Sequence, residues 1–393
     1  MDSSVPTYDE DMYSDDVLAN PYPHYRRLRD AGPVVWLPQN NLYAISRYKD
    51  VRESLRAHQI FSSANGVAAN EPTNTGSMGT TIASDPPDHT AMRQVIGAPM
   101  LPSGLALIRP RIEQMADELV DRLVAQGSFD AVTDLAQHIP VNIVSELVGL
   151  PEHGRQNMLK WAAATFDMLG AANDRFDAAQ ESIREMRSYV VTEATRDKVR
   201  PGSWIAKLFE ASDRGLFPAS RCPVLMRDYL GPALDTTIFA MANIIWLFGN
   251  NPEQWDLVRA DPALLPNALN EAVRLESPIR GFTRCLTADH TLETTTIPAG
   301  ARVVLFYASA NRDERKWDEP ERFDVRRKVN DHVGFGHGIH TCAGMHLARL
   351  EINTVLAALA SKVSRFEIGD AVPVMNNLLR GFSNIPVRII ERV

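Results

Sequence analysis

Phe335-Gly336-His337-Gly338-Ile339-His340-Thr341-Cys342-Ala343-Gly344 decides how this chain reads. Its glycines let the backbone pass close under a flat ligand, where a side chain would collide. From Cys342 to Val363 the apolar residues Leu347, Leu350, Ile352, Val355, Leu356 and Leu359 recur at helical spacing. That pattern places the cysteine in the first turn of an amphipathic helix. A thiolate there faces the positive end of the helix dipole and unpaired backbone amides, and both favour its charged form.

A haem iron held by that thiolate uses all of these features together. Two plainer readings compete. A lone buried cysteine is usually inert packing, but then the flanking Phe and Gly positions have no role. His332, His337, His340, Cys342 and His346 offer a zinc cluster instead. Zinc sites pair their ligands as C-x-x-C or H-x-x-x-H, however, and no second cysteine lies nearby. The order F-G-x-G-x-H-x-C-x-G resembles, at every defining position, the haem-binding signature of the cytochrome P-450 family. The resemblance implies a haem b cofactor with Cys342 as the axial thiolate on its iron.

The bulk properties fit a soluble globule. The chain has 393 residues, of which 45% are hydrophobic and 23% charged, a composition ordinary for folded domains. A net charge of -8 argues against a nucleic-acid binder, which would carry a basic face. Cys222, Cys285 and Cys342 are too few for a disulfide framework and point to a reducing compartment. Residues 1–16 carry six acids and no Lys or Arg, the opposite of a signal peptide. They read as an acidic tail before a single domain over 17–393. No run of about 18 apolar residues predicts a membrane span, so a cytoplasmic location is expected.

Along the chain, Pro21 to Ala31 predicts a short helix, and Val34–Leu37 with Leu42–Ser46 a hairpin around Asn40-Asn41. Phe61 to Ser84, rich in Ser, Asn, Gly and Thr, reads as a long loop of the kind that serves as a lid. Helical spacing then dominates: His89–Ala98, Leu105–Ala125, Ala136–Val148, two or three pieces within Glu152–Arg200, Pro218–Phe248 and Leu264–Leu275. Strands are expected at Leu292–Ile297, Arg302–Leu305, Arg365–Ile368 and Val387–Ile390. The fold class is mainly α with a small β portion. That distribution resembles the cytochrome P-450 fold from about residue 17 onward, as one haem-binding domain.

Haem propionates, once buried, demand cations. His89 and Arg93 lie four apart on one helix face and are similar to the family's H-x-x-x-R. Arg284 matches its second propionate-binding arginine, and His340, two before the cysteine, completes the set by resemblance. Glu271 and Arg274, three apart, resemble the family's E-x-x-R, and Pro320-Glu321-Arg322-Phe323 its P-x-R-F. The resemblance implies a buried network of Glu271, Arg274 and Arg322 that braces the haem loop and is structural.

Haem-thiolate oxygen activation needs protons, so the helix passing the iron should carry an acid beside a hydroxyl. Gly231-Pro232-Ala233-Leu234-Asp235-Thr236-Thr237 supplies both. Asp235-Thr236 resembles the family's acid–alcohol pair, with Thr236 positioning water and Asp235 relaying protons. A proline here frees a carbonyl and bends the helix. The family more often has Ala-Gly or Gly-Gly at Pro232-Ala233, which puts the width of the oxygen groove in question.

The substrate chamber implied by the resemblance is apolar, with few polar groups. Ala233, Ile279 and Phe282 would line it. Ser63, Asn65 and either Arg227 or Arg280 would hold a carboxylate or phenol. The Ser277–Arg284 stretch and the loop at Ser63 are similar to bacterial members that hydroxylate or O-demethylate para-substituted benzoates. The chain has no flavin domain and no G-x-G-x-x-G after a strand, so electrons must come from outside. The family implies a small iron–sulfur ferredoxin and its reductase, for which Arg326-Arg327-Lys328 offers basic docking residues. A haem-thiolate sensor or carrier without turnover is the rival reading. A peroxide-driven oxygenase is a third, but would lack the Asp235-Thr236 pair.

Overall fold

Val35-Trp36-Leu37 and Leu42-Tyr43-Ala44-Ile45 turn alternate side chains inward, and they open the sheet in a computed structural model that describes residues 5–393. Strands β1 (Val35–Leu37) and β2 (Leu42–Ile45) pair antiparallel, Val35 against Ala44. Asn41 turns the chain at φ 51°, a left-handed conformation that Asn tolerates better than most residues. Strands β3 (Phe61–Ser62), β4 (Phe282–Leu286) and β5 (Arg302–Leu305) complete a sheet of order β1-β2-β5-β4-β3, in which only the β2–β5 pair is parallel.

Beside three smaller sheets, helices make up most of the rest of the frame: α1 (Asp88–Gly97), α2 (Arg109–Gln126), α3 (His138–Val148), α4 (Glu152–Met168) and α5 (Asp174–Thr192), followed by α6 (Cys222–Leu230), α7 (Asp235–Asn250), α8 (Leu265–Leu275) and α9 (Met345–Lys362). Helix α7 is buried along almost its whole length, which explains why its sequence is apolar all round and not amphipathic. The main core gathers around it from α2, α3, α4, α5, α8 and α9. A mainly helical fold with a minor sheet is what the spacing predicts.

Four expectations need correction. Cys342 does not lie in the first turn of α9. The helix begins at Met345 with Gly344 as its N-cap, because the Cys342 N–H is already spent on the Phe335 carbonyl, 2.8 Å away. The run Pro218–Phe248 is two helices, broken at residues 231–234, since Pro232 has no N–H to continue the ladder. The Phe61–Ser84 loop contains β3 and a helix, Glu71–Ser77. Asn70 caps that helix through the Thr73 N–H at 2.9 Å and donates to the Met168 and Gly170 carbonyls, both at 2.7 Å. Polar residues there serve as caps and anchors. Finally, the described part of the acidic tail is packed: Met12 and Tyr13 are buried, and Arg280 donates to the Met12 carbonyl at 3.0 Å.

A buried ionic network ties α8 to the segment that leads into the cysteine loop. Glu271 and Arg274 are both 0% exposed and pair through two hydrogen bonds of 2.7 and 2.9 Å. Arg274 also donates to the carbonyls of Asn311 and Pro320, at 2.7 and 2.8 Å. The Asn311 side chain in turn accepts the Val333 N–H at 2.8 Å, two residues before Phe335. Arg322 is not part of this network. Its side chain is exposed and pairs with Glu319, and only its carbonyl touches Arg274, at 3.4 Å. Arg327 takes the expected place, donating to Glu271 at 2.9 Å.

The exchange yields a prediction. Arg327→Ala removes one of two guanidinium groups from a fully buried carboxylate and should destabilise the fold by about 1–3 kcal/mol. Arg322→Ala should stay within about 0.5 kcal/mol of the parent. Urea unfolding of the two variants side by side checks the assignment, and the reverse ranking would remove Arg327 from the network.

Candidate active site

The sulfur of Cys342 sits where the loop enters α9. Backbone N–H groups of Gly344 and Met345 point at it, and the guanidinium groups of Arg93 and Arg349 lie near; these four influences favour the thiolate. Burial outweighs them and pushes the thiol up. The anion therefore needs a positive partner on the sulfur itself, which a metal ion supplies. Cys342 has accessible surface although it lies deep within the fold, as a side chain lining an internal cavity must. Gly338 adopts φ 73°, and a Cβ there would strike the Leu55 carbonyl, so this loop shape requires glycine.

Four basic side chains gather beside the sulfur, none of them in ion-pair range of a carboxylate among the described residues. The His89 and His340 rings stand 4.3 Å apart, and the Nε2 atom of each is buried without a hydrogen-bond partner. Arg93 donates to the Thr341 carbonyl. Arg284, 4% exposed, donates to the Thr283 carbonyl at 2.7 Å. Neither arginine has a carboxylate partner among the described residues. Burial first, and then the neighbouring cations, holds both imidazoles below their ordinary range. Uncompensated cations and orphaned ring nitrogens at one wall suit a ligand that carries two carboxylates. A haem fits this site on both counts, sulfur and propionates.

Asp235 and Thr236 open α7, immediately after the helix break. The Thr236 hydroxyl donates to the Pro232 carbonyl at 3.1 Å, so the carbonyl freed by the break is caught by the catalytic-type hydroxyl. The break is also where α4 passes closest: a Cβ on Gly231 would lie 2.9 Å from Thr165 Cγ2. Asp235 is 6% exposed, and its carboxyl is raised to about 7, chiefly by burial and next by the charge of Asp167.

Ala233, Ile279 and Phe282 all pack on the main core while staying partly exposed, together with Phe335 and Ala343 from the cysteine loop. Ser63 is buried and its hydroxyl has no partner. Asn65 is exposed, and its carbonyl accepts from Arg302 at 3.0 Å. Arg280 is committed elsewhere, to the Tyr25 hydroxyl at 2.9 Å and to Met12, so it is withdrawn as a substrate ligand. Arg227 has a different surrounding. It donates to the Gly76 carbonyl at 2.8 Å, and Arg187 of α5 donates to the same oxygen at 3.2 Å. Neither has a carboxylate in ion-pair range among the described residues.

Three residues were missed in the sequence: Arg327, Arg187 and Asp167. Arg327 lies in a basic run that reads as solvated, and only the alternation Val325 buried, Arg326 exposed, Arg327 half-buried distinguishes it. Arg187 and Asp167 are single charges on amphipathic helices, and nothing local marks them.

Known proteins share this arrangement. The family model for cytochrome P450 matches residues 157–388. Cytochrome p450 CYP199A2 of Rhodopseudomonas palustris is 37% identical over 98% of this chain and 95% of its own length. The beta-dihydromenaquinone-9 omega-hydroxylase of Mycobacterium tuberculosis is 29% identical, covering 98% of this chain and 79% of that protein. Among solved structures, cytochrome P450 CYP109Q5 from Chondromyces apiculatus superposes with a TM-score of 0.82 at 28% identity, over 97% of this chain and 98% of the other. With more than half of the chain matched by the family model and a relative aligned along nearly all of it, this protein belongs to the cytochrome P450 family, monooxygenases whose haem iron is ligated by a cysteine thiolate.

Proposed function

We propose that the protein inserts one oxygen atom from O2 into a small, hydrophobic, aromatic substrate that carries an anionic group, by hydroxylation or O-demethylation, with electrons from a ferredoxin and its reductase. One observation carries the substrate reading. Arg187 and Arg227 converge on a single carbonyl oxygen with no carboxylate in ion-pair range among the described residues. Burial, and then the charge of Arg187, brings Arg227 down to about 10, so it is still cationic at neutral pH. A carboxylate completes such a pair with charge-assisted hydrogen bonds. Ser63, with its unpartnered buried hydroxyl, is a further donor, and Ala233, Ile279 and Phe282 supply the apolar walls.

Bound to Cys342, the haem supplies dioxygen activation, with electron donation from sulfur favouring O–O cleavage. The chain's own residues manage protons and position. His89, Arg93, Arg284 and His340 hold the propionates, and Glu271, Arg274 and Arg327 keep the loop beneath them in register. Thr236 commits its proton to the Pro232 carbonyl, which leaves its oxygen lone pairs to accept from a water in the groove. Asp235, poised near neutral pH, both gives and takes a proton efficiently. Exposed Arg326 and Lys328, ahead of the cysteine loop, suit an acidic electron donor. Arg327, bound to Glu271, is not part of that surface. The long apolar stretch Ala219–Asn250 is 78% buried in its most hydropathic window, which supports a cytoplasmic reading.

Four outcomes test this function. Para-substituted benzoates should shift the ferric spin state. Arg227→Gln should weaken them by about 2–3 kcal/mol while leaving the matching methyl esters within about 0.5 kcal/mol. Equal losses for acid and ester would remove the anion contact. Thr236→Ala should lower product formed per NADH consumed by roughly ten-fold or more with substrate affinity unchanged. Cys342→Ser should abolish the red-shifted carbon-monoxide band of the reduced protein, and its survival would reassign the iron ligand.

A further inference from the structure

We propose that Arg349 is a positioning residue for the electron-accepting step: held by Asn270 and stacked on Phe335, its guanidinium keeps a fixed positive charge beside the Cys342 loop and eases reduction of the iron bound there. The inference rests on haem ligation by Cys342 and is independent of the substrate reading.

Arg349 stands in the second turn of α9, four residues after Met345, so the two share one helix face. Side chains on a helix lean towards its N-terminus, and that end of α9 is where the cysteine loop arrives. The guanidinium accordingly reaches back past Met345, with Nη1 3.9 Å from the Met345 Sδ. Its Cζ atom lies 4.9 Å from the centre of the Phe335 ring, within the range of a cation–π contact. The Phe335 carbonyl in turn accepts the Cys342 N–H at 2.8 Å. On the other side, Nη2 donates to Asn270 Oδ1 at 3.0 Å. Asn270 belongs to α8 and precedes Glu271. Helix α8 thus grips the loop twice, once through the ionic network and once through this cation.

The charge of Arg349 is left unbalanced by the fold. No carboxylate lies in ion-pair range of it among the described residues, and its Nε is buried without a hydrogen-bond partner. Asn270 and Met345 offer neutral acceptors only. His332 is buried, its ring centre 5.7 Å from that of Phe335, and its Nδ1 accepts the Gly334 N–H at 3.1 Å. Burial first, and then Arg349, holds that imidazole neutral. The sulfur is the one charge that bears on Arg349, and Arg349 acts with Arg93 to favour the anion there. A half-buried cation is screened less than an exposed one, and it stabilises whichever neighbouring state is the more negative. At a thiolate-ligated haem that is the state with one electron more. Lysine would supply the charge, but not a planar fork that stacks on Phe335 while donating to Asn270.

Dye-mediated redox titration of the haem-loaded protein, with no protein partner present, reads the effect. Arg349→Gln removes the charge and keeps a polar side chain. It should lower the equilibrium constant for ferric-to-ferrous reduction about ten-fold, a shift of about 59 mV to lower potential, while the red-shifted carbon-monoxide band survives. Arg349→Lys should recover most of that shift. The band reports ligation and the midpoint reports Arg349, so the two readings fail separately. An unchanged midpoint in Arg349→Gln overturns the proposal. So does a lysine variant as low as the glutamine one, since a merely structural role would not follow the charge. A band lost together with the charge also overturns it, because Arg349 would then hold the ligand and not tune it. Should Arg349→Gln fail to load haem, Asn270→Asp decides. The new carboxylate would meet the guanidinium and cancel its field, so the midpoint should fall by a comparable factor, and a midpoint equal to the parent's rules the tuning role out.

Discussion

A cysteine sulfur, two guanidinium groups and two imidazoles, withdrawn from water with no carboxylate in ion-pair range among the described residues, are the constraint on which the rest of the structure depends. Burial pushes the Cys342 thiol up and holds His89 and His340 neutral. Each group is costly where it stands. One flat dianionic ligand with a central metal cancels both debts at once, because the metal meets the sulfur while the carboxylates meet the cations. The protein must then keep sulfur and cations at a constant separation. The cations come from α1, β4 and the cysteine loop, elements far apart in sequence, and the ionic network of Glu271, Arg274 and Arg327 helps to lock the loop to α8. Arg274 reaches the loop through the Asn311 backbone and side chain. Stability far from the haem is therefore part of haem binding.

The interruption of the long central helix obeys a related logic. Breaking a buried helix exposes carbonyls that must find donors. The Pro232 carbonyl, within the break, is one such group, and the Thr236 hydroxyl satisfies it at 3.1 Å. The Thr236 hydroxyl thus repairs the break, and that bond fixes its orientation. A proline achieves here the local opening for which small residues are the commoner device. The close passage of α4 then requires a glycine at 231, since any Cβ would press on Thr165.

Much of this was legible in the chain before any coordinates. The cysteine loop, the helix carrying His89 and Arg93, the Asp235-Thr236 pair and the Glu271–Arg274 pair all depend on residues close in sequence, where spacing reports geometry. Helices and strands with strong periodicity came out within a few residues of their structural ends. The failures share one cause. Arg322 and Arg327 are both arginines near the right place, and only tertiary burial shows which one turns inward. Arg280 stands in a stretch that resembles a substrate wall, yet it turns away towards Met12 and Tyr25. The start of α9 was placed three residues early because periodicity cannot see that the Cys342 N–H is engaged by Phe335. Long-range hydrogen bonds decide each of these cases, and no window of sequence contains both partners.

Charge is sorted by sign around the chamber, and the sorting follows the chemistry. Basic side chains without a carboxylate in ion-pair range among the described residues occupy two places, the wall beside Cys342 and the Arg187–Arg227 pair. A buried acid, Asp235, stands just past the break between α6 and α7. Were a cation to face Asp235 in place of Asp167, it would hold the carboxylate charged and draw its proton affinity down. An acid in that position does the reverse. It raises the proton affinity of Asp235, so that a group in the dry interior can hold a proton near neutral pH.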